Sequence, residues 1–83
     1  MSMKIESNPD FEILGFSDNR YENLTIEIQY KGESIAQINQ DQGVDKLEVE
    51  VFADLGSSTL KIPLAGFLES IILAKKSIEG EKQ

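Results

Sequence analysis

The chain of 83 residues has a formal net charge of −7 and contains neither cysteine nor histidine. A chain of this length forms one domain with a thin core, and it cannot use disulfides, thiolates or an imidazole base. Its acidity argues against binding to nucleic-acid phosphates or to an anionic membrane, and it favours a basic protein partner.

The negative charge is concentrated in the first two thirds of the chain. Residues 1–57 carry twelve acidic and four basic side chains, a net of −8, whereas residues 58–83 carry three acidic and four basic ones, a net of +1. The sequence shows no apolar leader and no stretch of membrane-spanning length, so we expect a cytoplasmic protein.

The N-terminal part predicts a turn and a first strand. Residues 8–10 read Asn-Pro-Asp, a turn signal, and residues 11–16 form a short apolar run. The segment 1–10 is therefore expected to be either flexible or an edge strand. A polar loop is predicted at residues 17–23.

Three further segments alternate apolar and polar residues. They span Leu24–Tyr30, Glu33–Asn39 and residues 46–52, with glycine-containing connections between them. Alternation with period two is typical of an antiparallel sheet that has one buried face and one solvated face. We call the predicted solvated face, turned away from the helix, the outer face.

The hairpin at Lys31-Gly32 allows two registers. A two-residue turn in a regular ladder would direct Ala36 and Ile38 to the outer face. A three-residue loop that includes the preceding tyrosine pairs Ile28 with Ser34 and keeps those apolar residues buried. Because a one-residue slip reverses every side chain, we predict the three-residue loop.

The C-terminal part predicts a last strand at residues 59–62 and then a helix. Pro63 suits the start of the helix, which is expected to end near Ile78 with Gly80 as the stop, leaving residues 79–83 as a flexible tail. Helical spacing predicts a buried stripe made of Leu64, Phe67, Leu68, Ile71, Ala74 and Ile78. Leu73 points away from that stripe.

These elements predict an α+β fold within a single domain, residues 1–83. It consists of an antiparallel four- to five-stranded meander sheet with one C-terminal α-helix packed on one face. The same register places Gln37 opposite Glu50 and Asn39 opposite Glu48 on the outer face.

The outer face is the candidate partner-binding site. We expect Ile35 and Phe52 to form an apolar centre there, rimmed by glutamates, as in many protein–protein interfaces. The alternative is an ordinary solvated face on which this pair adds local stability. The predicted partner-binding residues are Glu27, Ile35, Gln37, Asp41, Asp45, Glu48, Glu50 and Phe52.

The sequence carries no catalytic, cofactor or metal motif. Glu48 and Glu50 would lie about 7 Å apart on one face, a carboxylate spacing found in glycosidases, but no pocket is predicted around them. Counted from Asn39, Gly43 is at the fifth position of the following loop, whereas a calcium-binding EF-hand loop has glycine at the sixth. We therefore expect a non-enzyme without cofactor.

Several segments together resemble a known class of proteins. They are residues 21–28, Gly32, residues 35–39, Gly43, residues 47–52, residues 62–64 and Phe67. Over residues 20–76 this pattern resembles small immunity proteins of polymorphic-toxin and contact-dependent growth-inhibition systems of bacteria. The resemblance implies a non-enzymatic protein that binds and blocks a cognate toxin domain, often a nuclease.

A second hypothesis is a structural or regulatory homodimer. Leu73 on the helix, or an unpaired sheet edge, would provide its interface. In either case, no nucleic acid and no membrane is expected as a partner.

Overall fold

The computed structural model describes residues 2–17, 24–43, 45–52 and 59–81. Five strands and one helix lie within them: β1 (Ser2–Lys4), β2 (Phe11–Ser17), β3 (Leu24–Tyr30), β4 (Glu33–Asn39), β5 (Glu48–Val51) and α1 (Leu64–Glu81). The strands form one antiparallel sheet in chain order, and α1 packs on one face of it. The predicted α+β meander is confirmed. Of the loop predicted at residues 17–23, Ser17 belongs to β2 instead, and residues 18–23 lie outside the described residues.

The N-terminal segment is an edge strand. Ser2–Lys4 pairs antiparallel with β2, and the connection is closed by the turn predicted at residues 8–10. There the side chain of Asn8 accepts the N–H of Asp10 at 3.2 Å, and its carbonyl accepts the N–H of Phe11 at 3.0 Å. This turn also buries Ile5 completely in the core.

The β3–β4 hairpin corrects the predicted register. Its turn has two residues, Lys31 and Gly32, with φ angles of 49° and 83°, as a tight hairpin turn of the primed type requires. Ile28 lies opposite Ala36, not Ser34, because a bulge at Ile35 inserts one extra residue into β4. The bulge reverses the alternation once and returns the apolar residues of β4 to the buried face.

The register between β4 and β5 agrees with the prediction. The confirmed pairs are Ala36–Val51, Gln37–Glu50, Ile38–Val49 and Asn39–Glu48. However, β5 is shorter than the predicted strand at 46–52, and residues 59–62 form no strand. Ile62 packs instead against the core as the chain enters the helix.

The predicted buried stripe of the helix is confirmed in part, since Ala74 and Ile78 are buried and Phe67 and Ile71 pack against the core, but the buried face is rotated. Its fully or almost fully buried positions follow a four-residue repeat: Gly66, Ser70, Ala74 and Ile78. Leu64 and Leu68 were expected in the core but are 70% and 48% exposed. Leu73, expected to point into solvent, packs against the core.

Close approach of α1 to the sheet explains this rotation. A Cβ atom on Gly66 would lie 2.5 Å from the ring of Phe11, a distance at which atoms overlap. Small residues at the centre of the contact allow this approach, and the larger Phe67, Ile71 and Leu73 pack beside it. The helix also continues to Glu81 through Gly80, so the predicted tail is helical over residues 79–81.

The core lies between α1 and the middle of the sheet. Its buried apolar residues are Ile5, Phe11, Ile13, Ile26, Ile28, Ile35, Ala36, Ile38, Ala74 and Ile78. Among the described elements, α1 packs over β2, β3 and β4 but does not reach β5. Val49 and Val51, which were expected to extend the core, are therefore 49% and 69% exposed.

Candidate functional site

The outer face is a flat polar surface built from the alternate residues of four strands. One row crosses the sheet from β2 to β5 through Leu14, Glu27, Gln37 and Glu50. Asn39 and Glu48 form the next pair along β4 and β5. The alternation within each strand places these side chains opposite the helix, as the sequence predicted for the polar residues.

Glu50 is held by two neutral amides from β4. Gln37 donates from Nε2 to one carboxylate oxygen at 3.0 Å, and Asn39 donates from Nδ2 to the other at 2.7 Å. Both oxygens are thus oriented without a cation. A strand at residues 59–62 would have placed Lys61 beside Glu50, but residue 61 lies in no strand.

Glu27, two strands away on β3, is held in the same way. It accepts the side-chain amide of Gln29 at 2.9 Å and the hydroxyl of Ser34 at 2.7 Å, one at each oxygen. Between described residues the ion pair is that of Lys75 with Glu79 on α1. The carboxylates of Glu27 and Glu50 are therefore held in a fixed orientation by neutral donors, and no cation pairs with them among the described residues.

Some of the predicted site residues come together and others do not. Glu27, Gln37, Glu48 and Glu50 share the outer face. Asp41 is exposed in the turn after β4, where its N–H donates to the side-chain oxygen of Asn39 at 3.1 Å.

The predicted apolar centre is corrected. Ile35 is the bulge residue and only 6% exposed, so it belongs to the core, whereas Phe52 remains exposed. The two residues are joined through the backbone, by a hydrogen bond from the N–H of Phe52 to the carbonyl of Ile35 at 3.0 Å. Asp45 was expected at the rim of the outer face but lines a groove on the helix side.

The apolar part of the outer face lies on β2. Leu14 is opposite Glu27, and Phe16, which is 51% exposed, is opposite Thr25. Residues 13–16 read Ile-Leu-Gly-Phe, and this unbroken run was the signal that both faces of β2 carry apolar side chains. Sequence reasoning had not assigned these two residues to a site.

A groove opens on the helix side between β5 and α1. It has a volume of about 450 Å³, and its apolar floor is made by Ile38, Leu47, Val49 and Ile71. The charged residues that contribute atoms to its lining are Asp45, Lys46, Glu48, Lys75 and Glu79. We call this feature the β5 groove.

Within residues 2–17, 24–43, 45–52 and 59–81, no group of three or more acidic side chains is arranged to hold a metal ion. The described helix lacks the apolar length that crossing a bilayer requires.

Comparisons with protein-family models, with curated proteins and with solved structures give no match to this chain.

Proposed function

We propose that this protein is an inhibitory binding module, an immunity protein that neutralises a cognate toxin domain by covering it with the acidic outer face. The observation that carries the proposal is the state of Glu27 and Glu50. Neutral donors orient both carboxylates and leave their charges uncompensated among the described residues. Such a face is ready to pair with lysine and arginine side chains of a partner.

A basic toxin, such as a nuclease, fits this surface by charge. A nuclease must be positively charged where it holds phosphates, and an acidic protein surface can occupy the same region and exclude the substrate. The net charge of −7 would also steer the two proteins together before contact. Phe16 would supply an apolar contact at the β2 end of the face.

The first experiment identifies the partner. The C-terminal domain of the protein encoded directly upstream should be toxic when expressed alone and harmless when coexpressed with this chain. The purified pair should form a complex whose association slows as salt is raised. A harmless upstream product, or toxicity that coexpression leaves unchanged, would contradict the proposal.

The second experiment tests the face. Glu48→Lys should slow association by about tenfold at low salt, because it places a cation among the outer-face carboxylates. Glu48 has no side-chain partner among the described residues, so its replacement should leave stability nearly unchanged.

Glu33→Lys is the matched control. It makes the same change in net charge, but Glu33 lies opposite Tyr30 and on the helix side of the sheet. It should reduce the association rate much less than Glu48→Lys does. If both variants slowed association equally, the association rate would depend on the net charge of the protein and not on the outer face.

A further inference from the structure

The outward backbone groups of β5 can be assigned from one hydrogen bond. The N–H of Phe52 donates to the carbonyl of Ile35, so this residue pair is bonded to β4. Backbone groups alternate between the two sides of an antiparallel strand. Glu48 and Glu50 therefore also bond to β4, and the N–H and C=O groups of Val49 and Val51 point away from the sheet.

No strand lies beyond β5 among the described residues, so these outward groups form an open edge. The opposite edge differs, because β1 has three residues and carries Lys4, a residue type that discourages strand pairing. The sequence of β5, Glu-Val-Glu-Val, contains neither lysine nor proline. It is the edge of this sheet that can accept a further strand.

The two faces of the open edge differ in chemistry. Towards α1, the exposed Val49 forms part of the apolar floor of the β5 groove, and the exposed Val51 follows it two residues along the strand. Towards the outer face, Glu48 and Glu50 present carboxylates. A strand that paired with β5 would meet an apolar surface on one side and negative charge on the other.

The helix contributes to the apolar side. Ile71 lines the β5 groove together with Leu47 and Val49, and Lys75 and Glu79 line it one and two turns further along α1. Apolar side chains docked in the groove would remove Val49 and Ile71 from water.

We propose that β5 and the β5 groove are a docking site for an extended segment of a partner protein, which adds to the sheet as a sixth strand. The segment alternates apolar and basic residues. Its apolar side chains enter the groove, its lysines or arginines face Glu48 and Glu50, and its backbone pairs with Val49 and Val51. Backbone bonds would provide affinity and the alternating side chains specificity.

Charge argues against a second copy of this chain as the occupant. Antiparallel pairing of two β5 strands would bring Glu48 and Glu50 of one copy next to the same residues of the other. Like charges opposite each other on paired strands are destabilising. A basic segment would be attracted by the same carboxylates that would repel a second copy.

The proposal does not rest on the inhibitor function, because a synthetic peptide can test it without a toxin. The probe is a seven-residue peptide that alternates lysine and valine. One control peptide has the same composition with its valines and lysines in separate blocks, and another alternates glutamate and valine. Binding is followed by amide hydrogen exchange and by NMR shifts of the ¹⁵N,¹³C-labelled full chain.

The alternating lysine probe should slow amide exchange at Val49 and Val51 and shift the methyl signals of those valines and of Leu47 and Ile71, which line the groove. The two control peptides should leave these signals unchanged. Equal binding of the block peptide, or shifts confined to other strands, would overturn the proposal.

A methylated probe tests the backbone pairing directly. Methylation of alternate amides on one edge of the peptide removes its donors without changing its side chains, and it should weaken binding by about tenfold or more. Val51→Pro removes an outward N–H from the protein while keeping the bonds to β4, as proline at a sheet edge permits, and it should have a similar effect.

Unchanged affinity of the methylated probe would contradict strand addition even if the proline variant failed to fold. Sedimentation of the unmodified chain tests the competing occupant. A dimer that Val51→Pro dissociates would assign the edge to a second copy and overturn the proposal.

Discussion

Gly66 is the residue at which the contact between helix and sheet is closest. Its missing side chain accommodates the ring of Phe11, which is fully buried and stacks on Tyr30 with ring centroids 4.7 Å apart. Because the ring is enclosed, it cannot move aside as an exposed side chain would. Glycine is needed here for space, since the helix interior would otherwise favour alanine.

Gly66→Ala should therefore destabilise the protein. Overpacking costs about 1–3 kcal/mol and the gain in helix propensity is about 1 kcal/mol, so we expect a net loss of up to about 2 kcal/mol in the free energy of unfolding. Urea denaturation followed by circular dichroism measures it.

Gly80→Ala is the matched control within the same helix. A Cβ atom at Gly80 meets no atom within 4 Å. Alanine there should leave the free energy of unfolding unchanged or raise it by up to about 1 kcal/mol. If both variants were equally stable, α1 could not lie as close to Phe11 as described.

At the scale of elements, the β3–β4 hairpin combines a tight turn with a bulge. Lys31 and Gly32 both have positive φ, which allows a two-residue turn. The bulge at Ile35 then compensates for the reversal of faces that this turn would cause in a regular ladder. The tight turn and the bulge together bury the apolar residues of β4, and Ile35 itself lies in the core.

Ile35→Ala tests this placement. Ile35 is 6% exposed, so truncation should lower the free energy of unfolding by about 2–4 kcal/mol, as for other buried isoleucines. Truncation of an isoleucine on a solvated face would lower the free energy of unfolding far less. Chemical denaturation of the purified variant measures the difference.

Val51→Ala is the control for the same sheet. Val51 is 69% exposed at the edge strand, and its truncation should cost less than about 1 kcal/mol. Similar losses in the two variants would place Ile35 outside the core and favour the regular hairpin.

The face with which α1 contacts the sheet is likewise decided at the scale of elements. The apolar residues of α1 fill more than one face, and the surplus side chains, Leu64 and Leu68, remain exposed. The four-residue repeat of small residues selects which face contacts the sheet. This choice leaves β5 uncovered and creates the β5 groove.

At the scale of the whole molecule, the net charge of −7 is spread over a small protein, and the outer-face carboxylates repel one another. Raising NaCl from about 0.01 M to about 0.15 M shortens the screening length from roughly 30 Å to roughly 8 Å. We expect Tm to rise by roughly 2–4 °C, equivalent to about half a kcal/mol for a domain of this size. Differential scanning calorimetry measures it.

Two variants that each remove one negative charge test whether the repulsion lies among the outer-face carboxylates. Glu48→Gln removes one outer-face charge and should raise Tm at low salt and weaken its salt dependence. Glu79→Gln makes the same change in charge but removes the 2.7 Å ion pair with Lys75 on α1, so it should bring no such gain. A Tm independent of salt, or equal gains in the two variants, would argue against repulsion centred on the outer face.

The features set by nearest neighbours along the chain could be predicted from the sequence. Alternation in Leu24–Tyr30 and Glu33–Asn39 defined two strands, and the pairing of β4 with β5 followed from matching their apolar residues. Glu27, Gln37, Glu48 and Glu50 were assigned to one face for the same reason. Alternation is a local property of the backbone, so it needs no knowledge of distant segments.

The sequence by itself thus determined the class of fold, the order of its strands and the acidic character of the outer face. Only the tertiary structure decided that Ile35 is buried, that Gly66 faces the sheet and that Val49 and Val51 remain exposed. A bulge and the rotation of a helix depend on how closely segments far apart in the chain can pack. That packing is a property of the folded molecule, and it is also what opens the edge of β5 to a partner.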